Sequence, residues 1–280
     1  MGRIDTITNA KGGVGKSTTA VNLAAALVHV FGRSVCLVDL DPSEALTVWA
    51  GYVGDRALRT GQSSAVLFEP VSDHMVPLAS LPVVFGDEAP GLRLLGSRGV
   101  ALGRIDGKPS ATYGATLRTN LRMLADQFDH VIVDAPGGGN IGPLIQAATE
   151  AADGILLPTL PEPVSEGGSR HTVLDVERVR RVRPDLDVLG WIVNGYKRSN
   201  ERLMRPILAD IEATGYPIFD QAVRDLQVIA YSAGLHRSVF AVKGRHFART
   251  AVASAQEDYR ELAAEYLQRV GARAAPTGPI

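Results

Sequence analysis

Hydrophobic residues are arranged along the chain in two alternating patterns, short apolar runs and longer stretches with helical spacing. Apolar runs bounded by polar residues or glycine are typical of buried strands, and they predict strands over 3–8, 35–39, 92–95, 130–134, 154–158 and 187–194. Apolar residues that recur every three or four positions predict helices over 19–28, 115–124, 143–152, 165–181, 201–213 and 247–270.

The alternation of strands and helices predicts an α/β fold. We expect a single-domain, mostly parallel twisted sheet with helices on both faces, because such connections cover a parallel sheet on each side. The domain is expected to span residues 1–270, followed by a disordered tail over 271–280 that contains two prolines. Residues 51–91, rich in Gly, Pro and Ser, predict loops with one or two short helices, and 99–113 predict a polar loop.

The amino-acid composition limits the classes of protein to which this chain can belong. A hydrophobic content of 45% is ordinary for a full globular core, and a net charge of −1 means that any nucleic-acid surface must be a local patch. The single cysteine excludes an internal disulfide and the paired thiolates of a metal-cluster carrier. The sequence shows neither a secretory leader nor a run of 18 apolar residues, so we expect a soluble, cytoplasmic protein.

A glycine-rich motif follows the first predicted strand and opens the first predicted helix. Its glycines allow successive backbone N–H groups to surround a phosphate chain, towards which the positive end of the helix dipole also points. Lys16 can reach the β- and γ-phosphates, and the Ser17 hydroxyl can ligate Mg²⁺. This P-loop predicts a nucleotide-binding set made of Lys11, Gly12, Gly13, Val14, Gly15, Lys16, Ser17 and Thr18.

Carboxylates end two of the predicted strands. Asp39 and Asp41 close the second strand, and Asp134 closes 130–134 in the manner of a Walker B strand, whose aspartate holds Mg²⁺. Ligands of parallel α/β sheets bind at these strand ends. The alternative for Asp39 and Asp41 is a pair of turn carboxylates before Pro42.

Lys11 is a second cation in a loop that already has its phosphate-binding lysine. It cannot easily reach its own γ-phosphate, but it could reach a neighbour's nucleotide across a dimer interface, as an arginine finger does in trans. The complete signature from Lys11 to Ser17 resembles that of the deviant Walker A ATPases of the ParA/MinD family, closest to the ParA (Soj-like) partitioning ATPases. The stretch Asp-Leu-Asp-Pro over 39–42 also recurs in ParA proteins, which more often follow it with Gln-Gly-Asn than with the Ser-Glu-Ala found here.

The resemblance implies roles for individual residues. Lys11, Lys16 and Asp41 would be catalytic, with Asp41 orienting the attacking water. Ser17, Asp39 and Asp134 would surround Mg²⁺. Asn194, at the end of a predicted strand, would contact adenine, with a strand-end or turn cap as the alternative.

The resemblance also implies a function. A slow ATPase, dependent on ATP and Mg²⁺, would form a sandwich homodimer with ATP and bind double-stranded DNA non-specifically on the nucleoid. A ParB-like or other adaptor protein would stimulate hydrolysis, and the cycle would position a plasmid, a chromosome or another cargo. Basic residues cluster in the second half of the chain, and Arg224, in an element similar to the family's Asn-Val-Arg, is the first candidate for DNA contact, followed by Arg202 and Arg205.

Two rival functions share the same nucleotide-binding core. A MinD-like membrane-associated regulator needs a basic amphipathic helix near its C-terminus, whereas residues 269–276 are small and broken by proline. A P-loop scaffold without hydrolysis would require Lys16 and Asp41 to be dispensable. The P-loop strand begins at residue 3, so we expect no preceding helix-turn-helix and no sequence-specific operator binding.

Overall fold

The computed structural model describes residues 1–53, 58, 62–70, 81–82, 84, 91–108, 110–137, 142–161, 166–197, 199, 201–243 and 247–274. Its strands are β1 (Arg3–Ile7), β2 (Val35–Asp39), β3 (Leu92–Leu95), β4 (His130–Asp134), β5 (Gly154–Thr159) and β6 (Asp187–Val193). Its α-helices are α1 (Lys16–His29), α2 (Ala45–Trp49), α3 (Gly99–Asp106), α4 (Tyr113–Ala125), α5 (Pro143–Ala151), α6 (Glu166–Val182), α7 (Glu201–Glu212), α8 (Gln227–Gly234) and α9 (Arg249–Ala274). A 3-10 helix covers Ser64–Phe68.

The strands form one sheet in the order β3-β2-β4-β1-β5-β6, and every pairing between them is parallel. The predicted fold class is confirmed. β1 lies between β4 and β5, so the loop that follows it emerges at the middle of the carboxyl edge. In the register of β2 and β4, Asp39 lies directly opposite Asp134. The topology therefore brings the P-loop and both predicted acidic strand ends to one place.

Helices cover both faces of the sheet. On one face α1, α8 and α9 bury Leu23, Leu27, Tyr259 and Leu262 against the strands, and on the other α3, α4 and α5 bury Leu102, Leu117, Leu121 and Leu144. A third cluster packs α6 and α7 against β5 and β6. Each fully buried leucine contributes about 1.5–3 kcal/mol. These clusters hold the carboxyl edge of the sheet in place.

Three helices lie where the sequence pattern predicted none. α2 and α8 were not predicted, and α3 replaces most of the polar loop expected over 99–113. The 3-10 helix lies within the segment 51–91, much of which falls outside the described residues. α9 extends to Ala274, four residues beyond the predicted end of the last helix, and the rest of the predicted tail, 275–280, also falls outside the description.

A buried polar network ties α9 to the opposite, amino edge of the sheet. The Tyr266 hydroxyl donates to Asp5 Oδ2 at 2.6 Å, and it lies 2.9 Å from His130 Nδ1. Because the hydroxyl has one proton, His130 Nδ1–H must donate to the Tyr266 oxygen. Arg3 Nε donates to both oxygens of Asp5. Burial lowers the pKa of His130 to about 4, so the imidazole is neutral at physiological pH.

The only cysteine of the chain, Cys36, lies in β2. It is completely buried in the core beneath α4. Burial raises the pKa of its thiol to about 12. Cys36 is therefore a protonated core residue.

Candidate nucleotide-binding site

The P-loop leaves β1 and enters α1 through two residues with left-handed backbone, Gly13 (φ 77°) and Gly15 (φ 89°). A Cβ at Gly15 would also lie 2.6 Å from Nδ2 of Asn194, so this position requires glycine on two grounds. Within the described residues no side chain caps the start of α1. The N–H groups of its first turn are therefore free to receive an anion.

Lys16 lies buried at the centre of this loop, and its Nζ donates to the carbonyl oxygen of Lys11 at 3.3 Å. Burial lowers the pKa of Lys16, while the carboxylates of Asp134 and Asp41 raise it. The segment after β4 covers the ammonium so closely that a Cβ on Gly137 would lie 2.3 Å from Nζ. Lys16 is thus enclosed by the loop, the acidic strand end and Gly137.

Asp134 has a completely buried side chain, and neither carboxylate oxygen has a hydrogen-bond partner among the described residues. Burial and the nearby Asp39 raise its pKa well above the usual range, and the Ser17 hydroxyl and Lys16 lower it. A buried, unpartnered carboxylate is costly unless a cation binds it. Together, the Asp134 carboxylate and the nearby Ser17 hydroxyl offer the oxygen ligands that Mg²⁺, a hard cation, takes.

In the described part of the chain, no group of three or more His, Cys, Asp or Glu side chains could enclose a metal by itself. Mg²⁺ commonly binds through one or two carboxylates together with substrate phosphates and water. Ser17 and Asp134 match that arrangement, with nucleotide phosphates supplying the remaining ligands.

The carboxylate of Asp39 accepts hydrogen bonds from other residues of the protein. Oδ1 accepts the backbone N–H of Asp41 at 3.0 Å, and Oδ2 accepts the N–H and hydroxyl of Thr47 at 2.9 and 2.6 Å. Burial raises its pKa to about 7, and these hydrogen bonds oppose the shift. Asp39 therefore positions Asp41 and α2, and its predicted place near Mg²⁺ stays a prediction.

Asp41 is half-buried in the turn that precedes α2, and its Oδ1 accepts the N–H of Ser43 at 2.8 Å. This contact agrees with the alternative given in the sequence analysis, in which Asp41 is a turn carboxylate before Pro42. The carboxylate also lies near enough to Lys16 to raise the lysine pKa. Asp41 is thus both a turn residue and a neighbour of Lys16, and its role in orienting water stays a prediction.

Asn194, at the end of β6, directs its amide at the P-loop. Nδ2 donates to the carbonyl of Val14 at 2.9 Å and to the hydroxyl of Thr19 at 3.1 Å. Oδ1 is buried and has no partner within the described chain. In this structure Asn194 braces the loop where it enters α1, and the adenine contact implied by the resemblance stays a prediction.

Two polar residues at the site were not predicted. Asn9 Oδ1 accepts the N–H of Lys11 at 2.8 Å and the hydroxyl of Thr172 at 3.0 Å. Asn9 Nδ2 donates to the carbonyl of Pro158 at 2.8 Å, and Thr172 Oγ1 accepts the N–H of Ala10 at 3.0 Å. Asn9 lies two residues before Lys11, the first residue of the motif, which is a weak signal, whereas Thr172 lies 163 residues from Asn9 and gave none.

The arginines predicted to contact DNA differ in their surroundings. Arg224 donates through Nε and an Nη nitrogen to Asp258, which is 2% exposed, and through the same nitrogen to the Ser254 carbonyl. Asp258 raises the pKa of Arg224. This ion pair joins α9 to the chain after β6 and offsets the charge that was expected for phosphate binding. Arg202 and Arg205 on α7 are exposed, and Arg205 lies 3.9 Å from Glu201.

Three features define a P-loop nucleotide-binding protein: a glycine-rich loop after the central strand, a buried lysine at the start of α1, and a buried aspartate at the end of the adjacent strand that has no hydrogen-bond partner in the described part of the chain. Residues 5–239 match the family model described as the CobQ/CobB/MinD/ParA nucleotide binding domain. The chain belongs to this family and is an ATPase of the ParA/MinD type.

Relatives and solved structures agree with the family. The chromosome partitioning protein ParA of Myxococcus xanthus is 33% identical over 204 residues, covering 71% of this chain and 68% of that protein. The chromosome-partitioning ATPase Soj of Thermus thermophilus is 34% identical over 195 residues, 68% of each chain. Cobyrinic acid a,c-diamide synthase from Mycobacterium smegmatis, solved with bound ADP and magnesium, is 26% identical over the whole of both chains with a TM-score of 0.76.

These comparisons confirm the resemblance to the ParA/MinD family, the ATPase prediction, and ATP and Mg²⁺ as cofactors. The MinD cell division ATPase of Pyrococcus furiosus, at 23% identity and a TM-score of 0.68, shares the fold. None of the helices that the structure describes has the length and apolar character needed to cross a bilayer.

Proposed function

We propose that the protein is a ParA-type partitioning ATPase. Its ATP-bound form is a sandwich homodimer that binds DNA without sequence preference, and an adaptor protein stimulates hydrolysis and releases it. The cycle positions a plasmid, a chromosome or another cargo on the nucleoid, in the cytoplasm. The observation that carries the proposal is the presence of Lys11, a second, half-buried lysine in a loop whose buried lysine position Lys16 already fills.

The outer surface of the P-loop supports a role for Lys11 in a partner's site. Gly12 and Gly13 are exposed, and a Cβ on either would meet no atom of the described chain within 4 Å. A second subunit can therefore approach the backbone closely at this point. A cation delivered there in trans would stabilise the charge that develops on the transferred phosphoryl group.

The remaining site residues have different roles in ATP hydrolysis. Lys16 and the N–H groups of α1 bind and orient the phosphates, and Ser17 with Asp134 would hold Mg²⁺. When bound, Mg²⁺ supplies electrostatic stabilisation of the phosphoryl group. Asp41 orients the attacking water by accepting one of its protons in a hydrogen bond.

Exposed arginines on two neighbouring helices provide the proposed DNA surface. α6 carries Arg178 and Arg181, and α7 carries Arg202 and Arg205. A single copy with net charge −1 would neutralise few phosphates, whereas a dimer presents the arginines twice. We therefore expect DNA binding to require ATP-dependent dimerisation.

The proposal is tested by sedimentation with a non-hydrolysed ATP analogue or ADP, with and without duplex DNA. Wild-type protein should dimerise and bind DNA only with the analogue, and Lys11→Ala should bind nucleotide but remain monomeric. The matched control is Lys108→Ala, which changes an exposed lysine after α3. A Lys11→Ala protein that dimerises normally would refute the role in trans. Binding to anionic vesicles in place of DNA would favour the MinD-like membrane regulator.

A further inference from the structure

We infer that Asn9 and Thr172 are positioning residues that fix the backbone of Lys11 and make its placement depend on α6. The inference rests on the proposed function of Lys11 and adds to it a part of the chain outside the P-loop. Neither residue belongs to the glycine-rich signature.

The backbone of Lys11 is held on both sides. Its N–H donates to Asn9 Oδ1 at 2.8 Å, and its carbonyl accepts Lys16 Nζ at 3.3 Å. Lys16 belongs to the nucleotide site, and its ammonium is expected to turn towards phosphate when nucleotide binds. The hydrogen bond from Asn9 then still restrains the direction in which the chain enters Lys11.

The orientation of the Asn9 amide is unambiguous. The N–H of Lys11 requires an acceptor and the carbonyl of Pro158 requires a donor, and the Thr172 hydroxyl donates to the same oxygen that accepts the Lys11 N–H. Only one of the two amide orientations satisfies all three groups. Asn9 is thereby fixed to β5 through Pro158 and to α6 through Thr172.

The hydroxyl of Thr172 acts both as a hydrogen-bond donor and as an acceptor. It donates to Asn9 Oδ1 and accepts the N–H of Ala10, each at 3.0 Å. Asn9 and Thr172 are each 2% exposed, so water cannot replace either partner. Removing the hydroxyl would leave the Ala10 N–H, which immediately precedes Lys11, buried without an acceptor.

α6 links this contact to the surface. Its inner face packs Val176 and Val179 against β5 and β6, whereas its outer face exposes Leu174 and Arg178, 56% and 69% exposed. A displacement of the helix by the length of a hydrogen bond would break both contacts of Thr172. The position of the Lys11 backbone therefore depends on the position of α6.

The test compares Thr172→Val, which keeps the branched shape and loses the hydroxyl, with Thr172→Ser, which keeps the hydroxyl. In Thr172→Val we expect the amide of Lys11 to exchange with solvent about tenfold faster. We expect kcat for ATP hydrolysis to fall by about tenfold, with KM changing less than about threefold. Thr172→Ser should restore most of both properties, and in a Lys11→Ala background Thr172→Val should lower kcat no further.

Three results would overturn the inference: unchanged exchange of the Lys11 amide in Thr172→Val, faster exchange with an unchanged kcat, or an equal loss of kcat with and without Lys11. A different result would refute the proposed function. If Lys11→Ala alone hydrolyses ATP and dimerises like the wild type, the role of Lys11 in trans is refuted. In that case the exchange rate of the Lys11 amide in Thr172→Val, with no other substitution in the chain, is the measurement that tests whether Thr172 fixes the backbone of Lys11.

Discussion

The carboxylate of Asp39 accepts two hydrogen bonds from Thr47, from the backbone N–H at 2.9 Å and from the hydroxyl at 2.6 Å. The same hydroxyl accepts the N–H of Ser97 at 2.7 Å. One buried threonine thus fastens the start of α2 to the ends of β2 and β3. The turn that carries Asp41 lies between these fixed points, so its conformation depends on them.

Replacing Thr47 with valine should therefore reduce both stability and turnover. The change removes the hydroxyl between Asp39 and Ser97, and the loss of buried hydrogen bonds costs about 1–3 kcal/mol. Urea denaturation measures the stability, and steady-state kinetics should show a larger fall in kcat than in ATP affinity. Thr47→Ser is the control that keeps the hydroxyl. A valine variant with normal turnover would show that α2 does not position Asp41.

Lys16→Ala should weaken nucleotide binding strongly. The change removes a buried cation that we expect to face the phosphates, a contact of about 1.5–3 kcal/mol or roughly 10–150-fold in affinity. Calorimetric titration with an ATP analogue and Mg²⁺ measures the effect, with Lys108→Ala as the control. Wild-type affinity in Lys16→Ala would contradict the assignment of the phosphate site.

Asp41→Ala should separate binding from hydrolysis. Without the carboxylate that we propose orients water, the variant is expected to bind ATP and dimerise but to hydrolyse little, and so to accumulate on DNA. Single-turnover kinetics and DNA co-sedimentation with ATP measure the two properties. Asp126→Ala, at an exposed aspartate after α4, is the matched control. Loss of ATP binding in Asp41→Ala would instead assign the carboxylate to Mg²⁺ or to the fold.

Arg202→Ala and Arg205→Ala should weaken DNA binding without changing nucleotide affinity. Each phosphate contact contributes about −0.9 to the slope of log affinity against log salt, so a lost contact should make the slope shallower by about that amount. Arg224→Ala should act differently. It leaves Asp258 buried without its partner, and we expect a loss of about 1–2 kcal/mol in stability, reduced by solvent screening of the half-exposed arginine. An unchanged salt slope in both α7 variants would remove α7 from the DNA surface.

Acid should destabilise the protein through His130. Unfolded histidine binds a proton near pH 6.5, whereas the pKa of folded His130 is lowered to about 4 by burial. The unfolded state therefore binds more protons between these values, and stability is lost as pH falls through that window. Relative to His130→Phe, the wild type should lose about 1.5 kcal/mol between roughly pH 6.5 and pH 5. Parallel pH profiles of the two proteins in urea denaturation would contradict a neutral buried imidazole.

Elements with strong local patterns were predictable, and elements fixed by distant contacts were not. The strand, loop and helix around Lys16 follow from glycine spacing and apolar runs that a few neighbouring residues define. α2 has only five residues, too few for a periodic pattern, and it depends on the contact between Thr47 and Asp39. α3 contains Gly99 and Gly103, which favour a loop, and its last residue, Asp106, contacts α5.

The same distinction between local sequence and distant contacts applies to the side chains at the site. The position of Asn194 at a strand end was predicted, but its contact with Val14 and Thr19 depends on the packing of β6 beside the P-loop. The expectation for Arg224 rested on its charge, and nothing in the local sequence indicated the buried carboxylate of Asp258 on α9. A motif therefore predicted the P-loop and its buried lysine, while the residues that contact this loop could be identified only from the tertiary structure.

The burial of Cys36 has a practical consequence for measuring association. Its thiol is protonated and inaccessible, so maleimide reagents should leave the folded wild-type chain unlabelled. A cysteine introduced by Lys108→Cys, at the exposed position after α3, would then be the single reactive thiol without any change to the core. Fluorophores attached there would report, by energy transfer between two copies, whether and how fast ATP brings them together.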